Sequence, residues 1–85
     1  MARTRTEILS YGKSQQIEAD GCYSISFYRP LTGSNPVNVN GLNLEAGQTL
    51  SINQNVGDED WSTYDITFSA GAGSNMIDVV KIMPE

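Results

Sequence analysis

The chain has 85 residues, 39% apolar and 18% charged, enough for one small core and unlike the profile of a disordered tail. It carries a net charge of −5, one cysteine and no histidine, so it has neither an internal disulfide nor a nucleophile–histidine pair. An acidic body repels nucleic-acid phosphates, and no apolar run nears the roughly 18 residues of a membrane span, so neither nucleic acid nor membrane is an expected partner.

The first thirteen residues, with Arg3, Arg5 and Lys13 against Glu7, carry +2, and the remainder carries −7. This segment reads as a basic arm and first strand, residues 1–13, ahead of a single domain over 14–85. MARTRTEIL has a basic flank but no apolar stretch and no cleavage site, so it is not a secretory signal and synthesis in the cytosol is expected. The arm suits an acidic neighbour, another copy of the chain included, or it is simply a solvated terminus. A core this small, without disulfide or zinc, has few routes to stability, and oligomerisation is one of them, a first pointer to assembly.

No helical period is sustained anywhere, whereas period-two alternation recurs. In CYSISFYR, Tyr23, Ile25 and Phe27 share one face against Ser24 and Ser26. Tyr28 and Arg29 then point to opposite faces at the strand end and are candidate interface residues. In VNVNGLNL, Asn40-Gly41 has the chemistry of a type I′ turn, placing Val39 opposite Leu42 and Val37 opposite Leu44. All four then lie on one face, with Asn38 and Asn43 on the other. Pro36 falls at the strand start, where a missing N–H does least harm.

The Glu45–Gln48 turn leads to a strand in which Leu50 and Ile52 alternate. In TYDITF, Tyr64, Ile66 and Phe68 oppose Asp65 and Thr67. The last strand, MIDVVKIM, is apolar on both faces, which predicts covering on both sides or a bulge. Short strands at regular spacing make the chain all-β: a small antiparallel β-sandwich or partly open barrel of about six or seven short strands.

Chemistry-bearing candidates are few. Cys22 lacks a base and reads as a small, half-buried side chain on a sheet face. Asp58-Glu59-Asp60, with Asn53 and Asn55, is the densest oxygen-ligand set, but its spacing misses that of a calcium loop and it reads as a solvated loop. SAGAGSN lacks the lysine and helix of a phosphate cradle and reads as a flexible hairpin loop. Trp61 is either core edge, the reading its loop position favours, or a contact anchor. No catalytic, metal or cofactor motif emerges, so the chain is expected to be non-enzymatic and without a cofactor. The interface candidates are Arg3, Arg5, Tyr28, Arg29 and Trp61.

VNGLNLEAGQTLSI followed by GDEDWSTYDITF resembles a module of small β-rich structural proteins of tailed bacteriophages, with Ala46-Gly47 at the usual small-residue step. The match spans roughly the C-terminal half and consists mostly of turn and core positions, so it speaks to fold more than activity. The resemblance implies a virion component, made in the bacterial cytoplasm, of capsid-decorating, auxiliary or tail-accessory type. It further implies multiple copies docked on one another or on major capsid or tail components. A carbohydrate- or receptor-binding module of a tail or fibre, stacking sugars on Trp61, Tyr11 or Tyr28, is the alternative.

Overall fold

The computed structural model describes residues 3–32, 34–55 and 57–84. Met1 and Ala2 of the basic arm, and Gly33, Val56 and Glu85 of the domain, lie outside the described residues. Among the described residues the chain forms eight strands: β1 (Thr4–Tyr11), β2 (Gln15–Glu18), β3 (Ser24–Tyr28), β4 (Val37–Val39), β5 (Leu42–Leu44), β6 (Thr49–Asn53), β7 (Thr63–Phe68) and β8 (Ile77–Pro84). They make two antiparallel four-stranded sheets, ordered β1-β8-β3-β6 and β2-β7-β4-β5. The expected all-β sandwich is present. It is open rather than closed into a barrel, and the added strands are short or polar ones.

The core is one layer thick, in a body measuring 47 × 20 × 17 Å. Ile25, Phe27, Ile77 and Val79 of the first sheet meet Ile17, Val37, Val39, Leu44 and Ile66 of the second. The rings of Phe27 and Tyr64 bridge the sheets at a centroid distance of 5.3 Å and a tilt of 56°, a favourable edge-biased geometry.

The β4–β5 hairpin has the expected register, with Val37 opposite Leu44, Asn38 opposite Asn43 and Val39 opposite Leu42. Asn40 and Gly41 have φ of 49° and 92°, as a type I′ turn demands. Asn40 also reaches sideways, accepting the Asp65 N–H on its side-chain oxygen at 2.7 Å. Leu42 departs from expectation. It is exposed, because it sits at the turn end of an edge strand. Tyr23 departs too: it donates its N–H to Ile82 and accepts from Gln54, so its backbone serves two neighbours and the alternation breaks before β3.

The last strand resolves differently from either expected alternative. Its register is continuous against β1 and β3, without a bulge. Ile77, Val79, Lys81 and Met83 point into the sandwich and are buried, while Asp78, Val80, Ile82 and Pro84 on the opposite face are half-buried. The outer face of this sheet is itself apolar along β8.

Candidate docking surface

Among the described residues β1 is the longest edge strand. It pairs on one side with β8 over all eight residues, from Thr4 opposite Pro84 to Tyr11 opposite Ile77. The other edge strands, β2, β5 and β6, have four, three and five residues. β1 contains no proline and no lysine, and its register has no bulge; the charges it carries against edge pairing are Arg5 and Glu7, of opposite sign.

Which backbone groups of β1 face outward follows from hydrogen-bond alternation. Arg29 donates its N–H to Gln48, so the odd residues of β3 face β6 and the even ones face β8. The even residues of β8 therefore face β3 and the odd ones face β1. In β1 it is then Arg5, Glu7, Leu9 and Tyr11 that bond to β8. Thr4, Thr6, Ile8 and Ser10 present their N–H and C=O groups to the open side.

The side chains of those same residues lie on the outer face of the sheet. There Thr6 stands opposite Ile82 and Ile8 opposite Val80, giving an apolar strip along β8 and β1. Ile8 is 70% exposed. Beyond β8 the face turns polar: Ser24 donates to Asn53 at 2.8 Å, and the Ser26 and Ser51 hydroxyls are 3.0 Å apart. At one end the face deepens into a depression of about 400 Å³ bordered by Thr4, Tyr23, Asn53 and Gln54.

The residues singled out from sequence scatter over this frame. Arg5 lies within β1, its guanidinium 3.2 Å from the carboxylate of Glu7 on the same face of the strand, so the basic arm is largely strand from Thr4 onward. Arg3 is exposed immediately before it. Tyr28 is half-buried on the outer face opposite Asp78, at the polar end of the sheet.

Arg29 is engaged internally: its fork donates to Ser34 Oγ at 3.3 Å, to the Ser34 carbonyl at 3.2 Å and to the Leu44 carbonyl at 2.9 Å. Trp61 is 71% exposed rather than core edge. Its ring lies over Gly21, where an added Cβ would come within 2.7 Å of Cζ2. The backbone under the ring is in the left-handed region, with φ of 56° at Asp20 and 79° at Gly21.

Three further readings are corrected. Cys22 is fully buried in the core, not half-buried on a sheet face, and it bridges to Asp60. Burial, and then the Asp60 charge, push its thiol up, which makes it a poor nucleophile. The acidic run is not uniformly solvated: Asp58 and Glu59 are exposed, but Asp60 is 4% exposed and turned inward. It accepts from the Tyr64 hydroxyl and from the Ser62 N–H at 2.8 Å. Burial alone would raise the Asp60 carboxyl, yet these hydrogen bonds outweigh it and hold the group below its ordinary value. Among the described residues, no three His, Cys, Asp or Glu side chains converge as a metal site would require.

SAGAGSN is not a hairpin loop. It links β7 to β8 across the two sheets and is tied down by buried Asn35, which donates to Asn75 at 2.8 Å and accepts the Gly73 N–H at 2.8 Å.

The edge itself was hidden in the sequence, although one signal was present. Adjacent Ile8 and Leu9 in a strand must point to opposite faces, so one of them had to lie outside any single core. Searches among family models, curated proteins and solved structures find no match to this chain.

Proposed function

We propose that this chain is a non-enzymatic structural protein of a multicopy assembly, working by docking its β1 edge and the neighbouring apolar strip onto other subunits. The observation that carries this reading is the eight-residue β1 edge, open on one side and bordered by Ile8, Val80 and Ile82. Unpaired strand groups give a docking partner its direction and register, and apolar side chains beside them supply the free energy. Cys22, with its thiol pushed up by burial, and Asp60 and Arg29, hydrogen-bonded internally, are each engaged in holding the fold. In the terms of the resemblance, the assembly is a phage particle and the chain a capsid-decorating or auxiliary component.

Peptide mass spectrometry on purified particles from the source tests this reading. Recovery of the chain at high copy number is expected, together with loss of incorporation for a folded Ile8→Lys variant. Absence from every particle overturns it.

A second reading rests on Trp61. Its ring is held against the Gly21 backbone with the rest exposed, an arrangement suited to stacking on a sugar ring. Glycan binding by the isolated chain, abolished by Trp61→Ala, would favour a carbohydrate- or receptor-binding module instead.

A further inference from the structure

We infer that the occupant of the β1 edge is a second copy of this chain, paired antiparallel with its own β1 about a two-fold axis through Thr6, so that Arg5 of each copy faces Glu7 of the other. The inference rests on the docking reading above and names its partner.

Hydrogen-bond parity limits the possible pairings. The outward-facing backbone groups are those of Thr4, Thr6, Ile8 and Ser10, so even-numbered residues must meet even-numbered residues across the interface. The axis therefore passes through a residue rather than between two. It also keeps like faces together, so the two sheets continue as one through both copies.

Charge then selects the register. An axis through Arg5 opposes Arg5 to itself between two Arg3–Glu7 pairs, and an axis through Glu7 opposes Glu7 to itself. Each carries a like-charged pair, which is destabilising for directly opposed residues; the Thr6 axis carries none. An axis through Ile8 leaves Glu7 against Leu9 and Arg5 against Tyr11. Only an axis through Thr6 puts Arg5 opposite Glu7, and does so twice.

In that register Thr6 meets Thr6, and Thr4 meets Ile8, as hydrogen-bonded pairs. Arg5 and Glu7 form the pairs without backbone bonds, in which side chains approach most closely. Within one copy the two already lie 3.2 Å apart with 58% and 35% of their side chains exposed, so each has room for a second partner. The outer apolar strips of the two copies then lie side by side on one continuous face.

The test is a charge-reversal series followed by sedimentation equilibrium. The wild-type chain is expected at about twice its 9.3 kDa mass, dissociating on dilution. Arg5→Glu and Glu7→Arg, each alone, oppose like charges and should run at the mass of one chain. Mixed in equal amounts, the two variants oppose unlike charges at both positions and should return to the two-chain mass. The double variant Arg5→Glu/Glu7→Arg should do the same by itself.

If a reversal variant fails to fold, Thr6→Pro decides the matter. Its N–H points away from β8, so the fold should survive, with an unchanged circular dichroism spectrum, while the pair is lost. A wild-type chain that stays single at every concentration overturns the pairing, as does a dimer indifferent to the reversals or single variants that ignore each other. A single chain that is nonetheless present in particles removes the two-fold pair and leaves the docking function. A dimer absent from all particles does the reverse.

Discussion

Tyr64 donates its hydroxyl hydrogen bond to the carboxylate of Asp60, four residues earlier, and both groups are buried at the end of the sandwich closed by Cys22. The same carboxylate accepts the Ser62 N–H, so one side chain holds a turn, a strand and the core together.

This pair makes stability depend on pH at both extremes. Asp60 has a folded-state value below its ordinary 3.8, so the native state binds fewer protons than the unfolded chain between the two. Its contribution is complete above pH 3.8 and is lost as pH falls through the folded value. Tyr64 is displaced upward from 10.0, by burial first and by Asp60 next, so its contribution is complete below pH 10 and is lost at higher pH. Urea midpoints measured across pH should fall at both ends. Asp60→Asn should flatten the acid limb and Tyr64→Phe the alkaline one. At neutral pH, Asp60→Ala should cost about 2 kcal/mol, since it strands the buried Tyr64 hydroxyl and removes the acceptor of the part-buried Ser62 N–H.

Lys81 points into the sandwich at 4% exposure, donating to the Glu18 carbonyl at 2.6 Å and lying 3.9 Å from the Asp20 carboxylate. Its stem packs between the sheets, and its ammonium ties β8 to the end of β2. Lys81→Ala removes both and should cost about 3 kcal/mol in urea denaturation. Lys81→Met keeps the stem and should cost about 1 kcal/mol, because replacing a buried ion by an apolar isostere restores most of the packing. Equal losses for the two variants would count against this division.

Arg29 fastens Ser34 and the end of β5 to the end of β3 through three hydrogen bonds. A lysine cannot reproduce that fork. Arg29→Lys should therefore lower stability by about 2 kcal/mol while leaving the sedimentation mass of the chain unchanged. A change in association with no change in stability would return Arg29 to the list of interface residues.

Gly21 and Trp61 form the fourth test. Gly21 has φ 79° and lies under the Trp61 ring, so Gly21→Ala both strains the backbone and lifts the indole. The strain alone is about 1 to 2 kcal/mol. Trp61 is the sole tryptophan, so its fluorescence reports the displacement directly. Trp61→Ala, which removes a largely exposed ring, should change stability by only about 0.5 kcal/mol.

Local chemistry in the sequence determined the hairpin, from Val37 to Leu44, and the buried faces of β3 and β7. An Asn-Gly pair reports backbone dihedrals, and alternation reports which side chains share a face; both operate within a few residues. β2 left no such mark, and β1 was legible only as a first strand somewhere within residues 1–13, without alternation to fix its faces. Polar residues dominate both faces of TRTEILSY, and it becomes a strand because β8 supplies hydrogen-bond partners from the far end of the chain. The inward turn of Asp60, the internal role of Arg29 and the exposure of Trp61 likewise depend on partners brought together only by folding. The docking surface is decided in the same way. Whether a strand is an edge, and whether an apolar face such as that of Val80 and Ile82 is covered, depends on neighbours distant in sequence. Long-range packing alone sets that order.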